Sequence, residues 1–274
     1  MTPSRYALIG GPAEAMSLHR DPPYAAGLDG SQRSEFRAEA WFPDGTRAED
    51  RDDDSRTVAV IPLRGPMTKY GSWYRYGTEE IAAEIRRAAA DGNVIAVVLD
   101  IDSGGGYTNS IAPLVEAVRS VRSAGKPVLA HADACYSAAY WVASQCDALF
   151  LDNPLSGCGS IGVYAELLDD RDNKLFGYRR ISVYPPESKD KNLADREALD
   201  GRTEAMEREL SALAGMFRDA VLTGRPGLKK DTPGLLTGAD FRAAEALAAG
   251  MCDGIMNLSG TVEAAAVRAE FGTE

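Results

Sequence analysis

The chain has 274 residues, 45% of them apolar and 26% charged, which suits one large or two small folded domains and excludes wholesale disorder. With 30 basic and 41 acidic residues the net charge is −11. That balance excludes the clustered basic footprint of a nucleic-acid or anionic-membrane surface.

Residues 1–56 read as a polar lead-in that ends in the charge run Glu49-Asp50-Arg51-Asp52-Asp53-Asp54, a solvated linker. Val58–Leu63 is a short apolar run and is expected to be a buried strand. An aromatic loop with Tyr70, Trp73, Tyr74 and Tyr76 precedes a helix to about Ala90, capped by Thr78 with Glu79 and Glu80 behind it. Val94–Ile101 is the strongest strand, and Asp102-Ser103-Gly104-Gly105-Gly106 turns it into a helix with Ile111, Leu114, Val115, Val118 and Val121 on its apolar face. Val128–Ala132 is the next strand, followed by a helix from about Ser137 to Gln145 and a strand over Ala148–Leu151.

Further on, the pattern predicts a helix from Tyr164 to Phe176, a strand over Tyr178–Tyr184 and a polar loop, 185–192. A long helix follows, with Leu199, Met206, Leu210, Leu213, Phe217 and Ala220 on one stripe. The last elements are a short helix over Asp240–Ala249 and a strand near Asp253–Met256. Continuous apolar strands alternating with helices mean crossover units and an α/β core.

Four scattered cysteines, Cys135, Cys146, Cys158 and Cys252, have no C-x-x-C spacing, so reduced thiols in a cytosol-like compartment are expected. No apolar run is long enough for a secretory leader or a membrane span. The only histidines, His19 and His131, leave little material for a Ser-His-Asp triad or a histidine metal site, and no metal or cofactor is expected.

Two motifs carry chemistry. The glycines at 104–106 let a ligand approach backbone N–H groups, as an oxyanion hole, a phosphate loop without the usual G-K-[ST], or simply a tight turn. Ser137, in Cys135-Tyr136-Ser137-Ala138-Ala139-Tyr140-Trp141, sits where a strand ends and a helix begins, as a nucleophile or as an ordinary cap. A nucleophile needs a base. His131 lies within an apolar strand and reads as a buried or edge histidine, whereas Lys189 and Lys191 follow a strand and serve only if an apolar surround lowers their pKa.

Five stretches in this order, Val58–Gly65, Asp100–Gly106, Ser137–Trp141, Gly159–Tyr164 and Leu236–Gly238 through Asp253–Ile255, resemble the signal peptide peptidase A family of serine peptidases. The likeness is strongest to the phage members that act in head maturation, the protein C type. It covers residues 58–260, with Gly104 where the family usually has proline and only Lys189 and Lys191 retained from its lysine segment.

The resemblance implies a fold like that of crotonase and the Clp protease, a spiral of ββα units assembling into rings, over a peptidase domain at 57–260 with a helical tail at 261–274. It also implies a Ser/Lys dyad: Ser137 as nucleophile, Lys191 as base with Lys189 the alternative, the N–H groups of Gly105 and Ala138 as oxyanion hole, and Ser160 supporting the lysine. The expected activity is endopeptidase cleavage of a polypeptide, a capsid or scaffold protein, by a homo-oligomer whose active site is shared between subunits. Its expected place is the host cytoplasm or the procapsid, without membrane or nucleic acid as partner. Two rivals remain: an inactive relative with a structural or scaffold-binding role, and an acyl-CoA binder, for which the acidic chain offers no basic phosphate site.

Overall fold

The apolar runs at 57–64, 94–103 and 128–136 form the parallel centre of one sheet, because strands without polar alternation must be covered on both faces. The computed structural model of the chain describes residues 7–9, 36–48, 55–72, 75–167, 172–173, 178–179 and 183–272. In chain order the first elements are β1 (Ala7–Ile9), β2 (Glu39–Trp41), β3 (Thr57–Arg64), α1 (Thr78–Ala90), β4 (Val94–Ser103) and β5 (Gly105–Tyr107). Then come α2 (Ile111–Ser123), β6 (Val128–Tyr136), α3 (Ala138–Ala143), β7 (Ala148–Leu151), β8 (Gly157–Gly159), β9 (Asp172–Asn173) and β10 (Tyr178–Arg179). The chain finishes with α4 (Leu193–Leu199), α5 (Glu204–Gly224), β11 (Asp240–Arg242), α6 (Ala243–Ala248), β12 (Gly254–Ile255) and α7 (Leu258–Phe271).

The main sheet runs β11-β8-β6-β4-β3-β2, with β7 also paired to β6 and β12 to β7. Only β2 on β3 and β11 on β8 are antiparallel within it. Strand β6 forks: Leu129–Ala132 pair with β7, and Ala134–Tyr136 pair with β8. Asp133 stands between the arms and accepts a 2.7 Å hydrogen bond from Ser156 Oγ. The expected α/β class is therefore observed, as a mixed sheet covered by helices on both faces.

Alternation along the strands divides the core in two. Val58, Val60, Ala96, Val98 and Leu129 face Val262, Ala265 and Ala266 of α7. Ala59, Ile61, Leu63, Val97, Leu99 and Ile101 face Ile81, Ile85, Leu114 and Val118 of α1 and α2. The expected lead-in at 1–56 thus includes β2, an edge strand of the sheet, and the expected tail at 261–274 is most of a helix whose buried face completes the core.

Several local expectations need correction. Gly77, not Thr78, caps α1: the Glu80 carboxylate accepts the Gly77 N–H at 2.9 Å, and Thr78 is the first helical residue. The glycine run does not lead straight into a helix, because β5 and a 3₁₀ turn at Thr108–Ser110 intervene. No helix forms over 164–167, and Asp172–Asn173 pairs with Tyr178–Arg179 as a strand, in keeping with the weak helix preference of Asp and Asn. The expected long helix is broken into α4 and α5 at Gly201, whose φ of +84° no helix accommodates. Of the expected stripe Met206 and Phe217 are buried in α5, joined by Val221, whereas Leu210, Leu213 and Ala220 are half-buried. Residues 240–242 are a strand that pairs with β8, so the following helix is only α6.

Candidate active site

Ser137 is the residue between β6 and α3, and its backbone is held in a conformation that L side chains rarely adopt, φ 54° and ψ −122°. Such a conformation costs on the order of 1–3 kcal/mol and persists only where neighbours enforce it. Here the Ser137 N–H donates to the Gly159 carbonyl at 2.8 Å, and the Ser137 carbonyl accepts from Trp141 N–H at 3.0 Å. The helix behind it is anchored throughout: Ala138 and Ala139 are fully buried, Tyr140 Oη donates to the Met251 carbonyl at 3.0 Å, and Trp141 stacks on Phe217 at 4.7 Å. Ser137 is itself 1% exposed, and its Oγ has no hydrogen-bond partner among the described residues. A buried hydroxyl left without a partner is costly, and it marks a group kept for another purpose.

The glycine segment lies alongside. Ser103 is in register with Cys135, and β5 packs against α3, which brings Gly105 next to the Ser137 turn. Gly105 has φ +104°, a value that admits glycine there. A side chain at Gly106 would bring its Cβ within 2.1 Å of the Met67 carbonyl oxygen, so glycine is required for Met67 to seal one edge of β5. Met67 N–H donates to the Gly105 carbonyl at 2.8 Å, and Tyr107 N–H to the Met67 carbonyl at 3.0 Å. The Gly105 N–H donates to Ser103 Oγ at 3.1 Å, and that hydroxyl donates to the Gly65 carbonyl at 2.7 Å. Ala138, as the first residue of α3, has an N–H with no intrahelical acceptor.

Ser160 leaves β8 as Ser137 leaves β6, with the same φ of 54°. Its N–H donates to the Ala239 carbonyl at 2.9 Å, and its hydroxyl acts on the neighbouring Asp240 carboxylate, favouring the charged form. Partial burial raises the Asp240 carboxyl above its ordinary range, against the lowering effects of Ser160 and Arg242. Lys189 and Lys191 are exposed, just past the 3₁₀ turn Pro186–Ser188. The loop is tied to α4 by Arg196, which hydrogen-bonds the Lys189 carbonyl and lies 4.3 Å over the Tyr184 ring. Since Ser137 Oγ has no partner, neither lysine amine reaches it within this chain.

His131 is occupied elsewhere. It is buried, with Nδ1 2.8 Å from Asp100 Oδ1 and Nε2 3.1 Å from Asp152 Oδ1, and Asp100 also pairs with Arg64. With both nitrogens held by carboxylates, it has no free nitrogen for a serine. His19 lies outside the described residues. The four thiols are buried and unpaired, and burial pushes Cys146 up to about 12 and Cys252 up to about 11.

Ser103, Met67 and Asp240 are members of the site that sequence reasoning missed. Ser103 and Met67 act by gripping backbone, which leaves no periodic signal, and Asp240 reaches Ser160 only through the β8–β11 pairing. Ser137, Ala138, Gly105 and Ser160 are brought together, whereas the lysines are not. The arrangement defines a candidate serine-nucleophile centre at the C-terminal ends of the parallel strands β6 and β8.

The chain belongs to peptidase family S49: residues 120–271, more than half of it, match the sequence profile of that family. Curated relatives include Protease 4 of Salmonella typhi, 31% identical over 114 residues that make up 41% of this chain and 18% of the relative. Protease 4 of Haemophilus influenzae is 25% identical over 215 residues, 76% of this chain and 34% of the relative. The matches thus span about a fifth and a third of those relatives' length.

Among solved structures, the 1510-N membrane-bound stomatin-specific protease, as a serine-to-alanine mutant, is similar with a TM-score of 0.39 and 15% identity, covering 74% of this chain and 81% of that one. A protein described as an enoyl-CoA hydratase/isomerase from Acinetobacter baumannii has a TM-score of 0.42 and 14% identity, covering 86% and 82%. No helix among the described residues is long and apolar enough to cross a membrane.

Proposed function

We propose that this chain is a serine endopeptidase in which Ser137 is the nucleophile and a lysine of the 189–191 loop is the base. The observation that carries the reading is the buried, unpartnered Oγ of Ser137 on a backbone of positive φ. Ser137 Oγ attacks the peptide carbonyl carbon while its proton passes to the neutral lysine amine. The N–H groups of Gly105 and Ala138 hold the developing oxyanion, the Gly105 N–H exchanging Ser103 Oγ for the substrate oxygen. The C–N bond breaks, the leaving amine takes the proton from lysine, and water then hydrolyses the acyl-enzyme. Ser160, beside the Ser137 turn, orients the lysine.

Lys191, with Lys189 as the alternative, comes to Ser137 from a neighbouring subunit of a homo-oligomer. Support for this is that both amines are exposed while Ser137 Oγ has no partner among the described residues. The substrate is a polypeptide, and the resemblance to phage head-maturation peptidases favours capsid or scaffold protein. The same exposed lysines also favour a second reading, an inactive relative with a structural role in capsid assembly.

The deciding experiment is casein cleavage near pH 8, read by mass spectrometry, for the wild type and Ser137→Ala side by side. Fragments from the wild type alone sustain the peptidase. If both proteins are inert while folded and oligomeric, with a capsid or scaffold substrate also left intact, the structural role is the better account.

A further inference from the structure

The N-terminal strand occupies an edge that the peptidase reading needs to be open. β1 pairs antiparallel with β5, with Ala7 opposite Tyr107, Leu8 opposite Gly106 and Ile9 opposite Gly105. The two strands form a sheet of their own. On its other side β5 is closed by Met67, which takes up the Gly105 carbonyl and the Tyr107 N–H. Strand alternation then turns the N–H and C=O of Gly106 toward β1, and Leu8 is the residue opposite them. β5 thus has one free edge, the one that carries the N–H and C=O of Gly106, and β1 fills it.

An extended peptide that adds to a sheet edge relies on main-chain hydrogen bonds of this kind. For its carbonyl to reach Ser137 and the Gly105 N–H, it would lie along β5. β1 also has the polarity of an acyl segment, running from Tyr107 toward Gly105, so that its C-terminal end lies at the Gly105 end. The sequence of β1, Ala-Leu-Ile, is apolar and uncharged.

We propose that β1 is a built-in competitor of peptide substrates, seated on β5 where a substrate pairs, and that it must leave before one binds. This rests on the reading of Ser137 as a peptidase nucleophile, and it adds a means by which the same chain limits access to that serine. An intramolecular occupant lowers the apparent affinity by the fraction of time the edge is free, so a strand seated ~90% of the time weakens binding about tenfold.

The test uses Ser137→Ala protein, so that binding is read without turnover. The probe is a fluorescein-labelled synthetic peptide with the sequence of residues 3–12, followed by fluorescence anisotropy. Three proteins are compared: the full chain, the chain lacking residues 1–10, and the full chain with Leu8→Pro, which removes the amide facing Gly106 should the truncated protein fold poorly. Both altered proteins are expected to bind the peptide at least tenfold more tightly than the full chain, and their Gly106 amide to exchange hydrogen at least tenfold faster when no peptide is present. Equal affinity in all three, no binding to either altered protein, or unchanged exchange at Gly106 would overturn the proposal. Casein cleavage by the chain lacking residues 1–10, with Ser137 intact, separates the two claims. If that chain is inert while its Ser137→Ala form binds the peptide tenfold more tightly than the full chain, the peptidase falls and the competing strand stays, whereas cleavage together with equal affinities does the reverse.

Discussion

Tyr136 and Gly159 lie opposite each other at the ends of the parallel strands β6 and β8, so Ser137 and Ser160 step off neighbouring strands side by side. Both have φ 54°, and the Ser137 N–H reaches back to the Gly159 carbonyl at 2.8 Å. The two hydroxyls are therefore set by one ladder. Ser160→Ala is expected to lower kcat on casein by on the order of 10–100-fold with KM little changed, as for a group that positions a proton-transfer partner. Ser160→Thr, which retains the hydroxyl, should recover part of the rate, and kinetics on the two variants checks this.

A base donated by a neighbouring subunit makes a separate prediction. Ser137→Ala and Lys191→Ala proteins should each be inert, and a mixture allowed to exchange subunits should regain part of the wild-type rate. If Lys189 is the base, Lys191→Ala is active on its own, and Lys189→Ala is the inert protein whose mixture with Ser137→Ala regains activity. Size-exclusion chromatography with light scattering on the same samples establishes that mixed oligomers form.

The buried His131 bridges Asp100 and Asp152, and its loss exposes the difference between a structural and a catalytic histidine. His131→Ala is expected to cost about 1–3 kcal/mol, the price of leaving a buried hydrogen-bonded group unpaired, with casein cleavage per folded molecule retained. Asp152 adds a pH dependence. The Asn153 amide and then His131 hold its carboxyl below the ordinary value of 3.8. Because the folded value is the lower one, its stabilisation is complete above that ordinary value and fades as pH falls through the folded value. Urea unfolding of wild type and Asp152→Asn between pH 6 and pH 3 should show the gap between them closing below about pH 4.

Phe217 is fully buried and stacks on Trp141, in the helix that begins beside Ser137. Phe217→Ala is expected to cost about 3–5 kcal/mol, a fall in Tm on the order of 10 °C. Differential scanning fluorimetry checks the stability. A concurrent drop in cleavage well below the Tm would show that α5 also holds α3 in place.

The parts of the fold that could be read from the sequence are those whose signal is local burial. β3, β4, β6 and β7 are continuous apolar runs, and they form where such runs predict buried strands. The strand-to-helix junction at Ser137 was legible from the apolar run before it and the small residues after it, but they left nucleophile and cap open, and only the resemblance favoured the nucleophile. β5 was not, because Gly105-Gly106-Tyr107 has no apolar rhythm and its place is set by the Met67 backbone. The helix expected from Tyr164 relied on spacing alone, while Asp172–Asn173 took a backbone pairing that spacing does not encode. The break at Gly201 depends on one positive φ, which a glycine permits but does not announce. The lysines could be named by resemblance only, and within this chain neither amine hydrogen-bonds Ser137 Oγ.

The fork in β6 sorts substitutions by what they will alter. Its β8 branch leads to Ser160 and, through β11, to Asp240, while its β7 branch carries Ala148 and Phe150 into the layer under α7. Asp133 and Ser156 bridge the two branches by one hydrogen bond. A library screened for heat resistance would therefore draw its winners from the β7 branch, and one screened for turnover from the β8 branch. Gains found separately in the two screens could then be joined in one chain with little interference.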